Sequence, residues 1–182
     1  MDLMATARET MALVRAALPP GIALHCEFED DEVRMVGDPA SLQGMLLNLA
    51  LNAAHAVAQR GRIRLRINKV PAESAELTHN PRLNATRPHV AIELEDNGCG
   101  IPEEMRPNIF DAFVTTRPTG EGTGLGLWTT RNTVLEHRGE VTFQSGVGVG
   151  TTFRILLPIH PSATPDVSAT RPPPQDLSLI HI

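Results

Sequence analysis

The sequence predicts a two-layer α/β sandwich: a mixed sheet of about five strands on about three helices, with a mobile lid. Three observations lead there. Apolar and polar residues alternate through Ile22–Phe28, Arg62–Val70 and Val90–Glu95, the period of half-buried strands. Apolar residues recur at helical spacing through 2–18 and again after Asp38. The second of these helices lies between two strands, so it must cross the sheet as a second layer.

The elements follow in order. Leu3, Ala7, Met11, Val14 and Leu18 form one face of a first helix, which Pro19-Pro20-Gly21 stops. Ile22–Phe28 is the first strand. Asp38-Pro39 reads as an N-cap with proline at the first helical position. The helix behind it carries Leu42, Met45, Leu46, Leu49, Ala53 and Val57 on one face and ends near Gly61. Arg62–Val70 is the second strand, with Arg62, Arg64 and Arg66 on its solvated side, a partner-binding patch being the alternative. Residues 71–88, with Pro71, Pro81 and Pro88, form a surface loop, and the Asn84-Ala85-Thr86 sequon there is read as chance. Val90–Glu95 is the third strand, and Pro102–Phe110 a short helix. Residues 114–124 suit a lid, Leu125–His137 a helix, and Glu140–Gln144 and Thr151–Leu157 two final strands. Residues 1–158 are thus one domain and 159–176 a Pro-rich disordered linker. Residues 177–182 resemble the translation of a sequencing-library adapter end, a non-native tail; a terminal strand is the alternative.

Composition excludes several roles. Five Phe, one Trp and no Tyr leave no stacking surface for single-stranded nucleic acid, and a net charge of −5 argues against duplex binding. Cys26 and Cys99 lack metal-ligand spacing and read as reduced thiols. No apolar run approaches the ~18 residues of a membrane span, and no signal peptide opens the chain.

Two glycine-rich loops carry the chemistry. Asp96-Asn-Gly98-Cys-Gly100-Ile101 sets a carboxylate beside a backbone that can approach a ligand closely. Gly120-Glu-Gly122-Thr123-Gly124-Leu125-Gly126-Leu127 can wrap phosphates with main-chain N–H groups and then enter a helix. Together they read as a nucleotide pocket, the base on Asp96 and the phosphates on the second loop. Asn48 and Asn52, four apart, share one face of the helix after Asp38, where an amide oxygen can serve phosphates or a hard cation.

This set resembles the catalytic and ATP-binding domain of bacterial sensor histidine kinases, within the gyrase–Hsp90–histidine kinase–MutL ATPase superfamily. The N box matches at Asn48–Ala56 and the first glycine box at Asp96–Ile101. The F box matches at Phe110-Asp-Ala-Phe113-Val-Thr115-Thr116-Arg117, and the second glycine box at Gly120–Leu127. Gly148-Val-Gly150-Thr-Thr-Phe153 fits the closing hairpin. Ala112 departs from the proline common in the F box.

The resemblance implies a Bergerat-type sandwich that binds ATP with Mg²⁺. By it, Asn52 coordinates the metal, Asn48 joins it at the phosphates, and Asp96 accepts from the adenine amino group. Thr151 supports Asp96 through a water, with Thr152 left open by the hairpin register. Gly122, Gly124 and Gly126 let the lid approach the triphosphate. His55 stands where the family often places a phosphate contact, an exposed helical histidine being the alternative; Arg117 is a γ-phosphate partner or a flexible surface arginine. Gly98, Gly100, Ile101, Phe113, Thr115, Thr116, Gly120, Thr123, Leu125 and Leu127 complete the expected nucleotide-binding set. Phe110 and Phe113 are expected to tie the lid to the core, Trp128 to pack, and His137-Arg138-Gly139 to cap a helix.

In the hydrolysing branches of the superfamily a Glu stands one turn before the metal-binding Asn and activates water. Asn48 occupies that place and is no base, so the resemblance implies ATP held intact for an outside nucleophile. None of the seven histidines is followed by an acidic residue on a long helix before the N box. The phosphate-accepting histidine is therefore expected on a dimerisation domain outside this chain, with a response-regulator receiver as indirect partner. The setting is cytoplasmic, either in a soluble protein or in the cytoplasmic part of a membrane sensor. Alternatives are a serine kinase of the anti-sigma-factor type and a non-catalytic ATP-dependent regulatory module.

Overall fold

The structure, a computed structural model, describes residues 1–115 and 123–159. Thr116, Arg117, Gly120, Gly122, the proposed linker from residue 160 onward and the terminal tail lie outside the described residues.

Helix α1 (Leu3–Ala17) begins where Asp2 caps it, its side chain accepting from the Met4 N–H at 3.0 Å and from the Val33 N–H at 3.2 Å. Strand β1 (Ile22–Phe28) follows. Helix α2 (Pro39–Val57) starts as its sequence specifies: the Asp38 carboxylate accepts from the Ser41 N–H at 2.9 Å, with Pro39 in the first turn. It stops at Val57, four residues before Gly61, because Ala58 turns to φ 57°. Strands β2 (Gly61–Val70) and β3 (His89–Asp96), helix α4 (Gly126–Glu136) and the hairpin of β4 (Glu140–Gly146) with β5 (Gly150–Pro158) complete the domain.

The sheet runs β1-β2-β3-β5-β4; β1 and β2 are parallel, and the other pairs antiparallel. A parallel pair needs a crossover, and α2 supplies it. Leu42, Met45, Leu46 and Leu49 of α2 pack on Ile63, Leu65 and Ile67 of β2 and on Ile92 and Leu94 of β3, all at most 1% exposed. Helices α1 and α4 flank α2 and complete the layer.

The opposite face of the sheet is charged. Arg64 and Arg66 of β2 pair with Glu27 on one side and with Glu95 and Glu93 on the other. The arginine row is thus the solvated side of a strand, held by cross-strand ion pairs. Within the loop of residues 71–88, a four-residue helix α3 (Ala75–Thr78) buries Leu77 with Val70, Leu83, Ala91 and Leu156. The loop reading missed it because one apolar anchor carries no period. Residues Glu103–Asn108 form a 3₁₀ helix, with Pro102 before it and Pro107 inside it. At the end of α4, Arg138 at φ 57° and the Gly139 N–H on Val134 O form the cap expected there.

Candidate functional site

The helix-facing residues of β3 are Val90, Ile92 and Leu94, and the next in that row is Asp96. Alternation therefore delivers a carboxylate to the core face at the strand's end, 5% exposed. The register pairs Asp96 with Thr151 and Glu95 with Thr152. Thr151 thus shares Asp96's face, while Thr152 turns to the charged one. The Gly98 N–H donates to Asp96 Oδ1 at 2.8 Å, and the Thr151 N–H also supports the carboxylate. Burial nevertheless outweighs these donors and pushes the Asp96 carboxyl above its ordinary range, with Glu95 adding slightly.

Close contacts shape the first glycine loop. A Cβ on Gly98 would meet the Ala56 backbone at 2.4 Å. Gly100, at φ +73°, lies so that a Cβ would be 2.0 Å from Gly146 O. The Cys99 N–H donates to Ala56 O at 3.0 Å, which fixes this loop to the C-terminal part of α2. Asn52 and Asn48 lie four and eight residues earlier on α2, about 6 and 12 Å along its axis. There they meet the start of α4: a Cβ on Gly126 would sit 3.7 Å from Asn48 Cγ and 3.7 Å from Asn52 Nδ2. Among the described residues no side chain caps the N-terminus of α4; the first turn of any helix carries N–H groups without intrahelical partners.

A cavity of about 590 Å³ joins these parts. Of the sequence-predicted residues it brings together Asn48, Asn52, His55, Asp96, Gly100, Ile101, Thr115, Thr123, Gly124, Leu125, Gly126, Leu127 and Thr151. Gly98 supports the wall through its N–H without lining it. The cavity's apolar lining includes Leu51, Met105, Ile109 and Phe153, of which Met105 and Ile109 lie outside the positions the sequence motifs singled out. His55 is exposed on the rim, its Nδ1 against Leu51 O. Cys99 is an exposed free thiol in the same wall.

Two expectations require correction. Phe113 does not pack on the described core: its backbone turns to φ 68° against Gly124, the residue is 75% exposed, and it does not line the cavity. Of the two phenylalanines it is Phe110 that packs on the core, edge-on to Phe143 and Phe153 at 6.0 and 6.4 Å between centroids. Trp128, 42% exposed on α4, is neither fully packed nor in the cavity wall.

A family profile described as histidine kinase-, DNA gyrase B- and HSP90-like ATPase matches residues 37–161. The chain belongs to this family. Among relatives of the ATPase domain, the sensor kinase CckA of Brucella abortus (strain 2308) is 34% identical over 158 residues, covering 87% of this chain and 17% of that protein. The signal transduction histidine-protein kinase AtoS of Escherichia coli (strain K12) is 33% identical over 171 residues, covering 92% of this chain and 25% of that one. The sensory histidine kinase/phosphatase NtrB of Salmonella typhimurium is 34% identical over 156 residues, covering 85% and 42%. The chain thus spans less than half the length of each. The fold is that of the mycobacterial sensor histidine kinase MprB, with a TM-score of 0.70 at 24% identity over 88% of this chain and 97% of that one. It is also that of the catalytic domain of histidine kinase ThkA, with a TM-score of 0.68 at 24% identity over 87% and 92%. No helix among the described residues of the ATPase domain is long and apolar enough to cross a membrane.

Proposed function

We propose that residues 1–158 are the ATP-binding catalytic domain of a two-component sensor histidine kinase. Its reaction is transfer of the ATP γ-phosphoryl group to a histidine on a dimerisation domain, the first step of a phosphorelay to a response-regulator receiver. The observation that carries this reading is the distribution of polar groups in one cavity. A buried acceptor, Asp96, stands at the glycine-loop end, and an amide pair faces a helix N-terminus at the other. A purine amino group fits the first, and a chain of phosphates fits the second.

Asp96 binds the base in its ionised form, accepting from the exocyclic amino group, and Gly98 and Thr151 hold the carboxylate in place. The start of α4 offers N–H groups to phosphate oxygens. Asn48 and Asn52 orient the same oxygens from α2. Among the described residues no group of three or more His, Cys, Asp or Glu gathers to hold a metal. The amide donors suit Mg²⁺ arriving with the nucleotide: Asn52 would hold it through one amide oxygen. The cation neutralises charge on the phosphates when bound. Asn48 supplies no base to activate water, so the γ-phosphoryl group is kept for an external nucleophile. His25 lies exposed on edge strand β1 and does not line the cavity.

The test mixes the domain with γ-labelled ATP, Mg²⁺ and histidine-bearing dimerisation domains from two-component kinases. Acid-labile label on histidine is expected. Acid-stable label on serine, or binding without transfer to any acceptor, overturns the reading.

A further inference from the structure

Ser145 belongs to none of the sequence motifs, yet three hydrogen bonds converge on its Oγ. The Ile101 N–H donates to it at 2.8 Å, the Gly150 carbonyl lies 3.1 Å away, and Thr151 Oγ1 lies 2.9 Å away. Thr151 stands opposite Asp96 across β3 and β5. A serine hydroxyl offers one proton and two lone pairs. Gly150 O can only accept, and Ser145 Oγ stands as its donor at that contact. Ile101 N–H takes one lone pair, and the Thr151 hydroxyl donates into the other. Thr151 Oγ1 is then left with lone pairs alone, beside a carboxylate that is also acceptor-only, and both residues line the cavity.

We infer that Ser145 is a positioning residue that sets base specificity: it fixes the Thr151 hydroxyl as an acceptor, so that the Asp96–Thr151 wall takes a 6-amino purine and rejects a 6-oxo purine. The inference rests on the nucleotide reading above. A 6-amino group carries two N–H donors for this wall, whereas a 6-oxo oxygen would meet lone pairs on both sides. Without Ser145 Oγ, the Thr151 hydroxyl is free to rotate its proton into the cavity and donate to an oxo group. Ser145 also holds the Ile101 backbone, so base recognition and the first glycine loop share one anchor.

The test measures binding of ATP, ITP and purine riboside triphosphate, which lacks the 6-substituent, to the full chain. Wild type, Ser145→Ala and Ser145→Thr are compared, with thermal melts alongside. Ser145→Ala is expected to weaken ATP about tenfold, the usual scale for one buried polar contact, and to shrink the ATP-over-ITP preference by a similar factor. Purine riboside triphosphate should lose less than ATP, and Ser145→Thr should restore both affinity and preference. If Ser145→Ala melts early, Ser145→Cys, a weaker donor of similar size, must shift the preference in the same direction by less. Equal weakening of all three nucleotides, or an unchanged ATP-over-ITP preference, overturns the inference while leaving nucleotide binding intact. Failure of the wild type to bind any of the three overturns the nucleotide reading itself.

Discussion

Asn48 and Asn52 meet the start of α4 together, and the gap between their amides and that helix exists because residue 126 has no side chain. A methyl there would lie in ordinary contact, 3.7 Å from each asparagine, with nothing closer. Gly126→Ala should therefore fold well. Its thermal stability should be unchanged or raised by up to about 1 kcal/mol, since alanine suits a helix better than glycine. Nucleotide affinity should fall, because the methyl occupies the space assigned to phosphate. Melting curves and ATP titrations separate the two effects; parallel losses in both would remove the phosphates from this end of the cavity.

Asp96 gives a pH prediction with a fixed sign. Its folded-state carboxyl is raised by burial above the unfolded value. Its contribution to apo stability is therefore largest below the unfolded value and is lost as pH rises through the folded one. ATP recognition runs the other way: only the ionised carboxylate accepts from the amino group, so affinity should rise with pH across the same window. Urea melts and ATP titrations of wild type and Asp96→Asn over the acid range check both. The variant should lose the affinity slope and bind ATP about tenfold or more weakly, the scale of a hydrogen bond to a charged group.

Much of this site was legible because its chemistry lies in backbone requirements. Gly98 and Gly100 are demanded by contacts with Ala56 and Gly146 that no side chain would survive, and Asp38-Pro39 fixes where α2 begins. Alternation within β3 brings Asp96 to the helix side. What was not legible depends on pairing between distant strands. Thr151 and Thr152 are interchangeable until β3 fixes the register, and Ser145 becomes a hub only because β4 sets it opposite Thr151. Phe113 misled for a different reason: apolar character predicts burial, but the residue stands exposed, with a backbone φ of 68°. Pro102–Phe110 was read as a short helix; with Pro102 ahead of it and Pro107 inside it, the helix that forms is the tighter 3₁₀ turn of Glu103–Asn108.

On the charged face of the sheet, Arg154 bridges two carboxylates. Its Nε and Nη2 reach the two Glu76 oxygens at 2.7 Å each, and its Nη1 reaches Glu93. The pair joins α3 to β5 and so fastens the loop of residues 71–88 onto the sheet. Arg154→Met keeps the aliphatic stem and removes the charge. With the side chains partly exposed, it should cost about 1 kcal/mol in urea denaturation at low salt and less at high salt. Nucleotide binding should be unaffected, because the residue faces away from the cavity. An equal cost at both ionic strengths would assign the loss to packing instead of charge.

Asn48→Glu tests why ATP would be kept for transfer. The substitution puts a carboxylate on the cavity-lining face of α2, one turn before Asn52 and across from Gly126. A positioned general base contributes about 100-fold or more to a hydrolytic step, so even imperfect placement should raise phosphate release by at least ~10-fold. The same negative charge beside the phosphates should weaken ATP binding, and transfer to an added histidine should fall. Asn48→Gln is the control, since it adds the same length without a base and should show no gain. Phosphate release is measured on the domain alone, with no acceptor present. If Asn48→Glu releases phosphate no faster than Asn48→Gln, the amide at position 48 is not what restrains water. The restraint would then lie in how the start of α4 and Asn52 hold the γ-phosphoryl group, a matter of orientation instead of basicity.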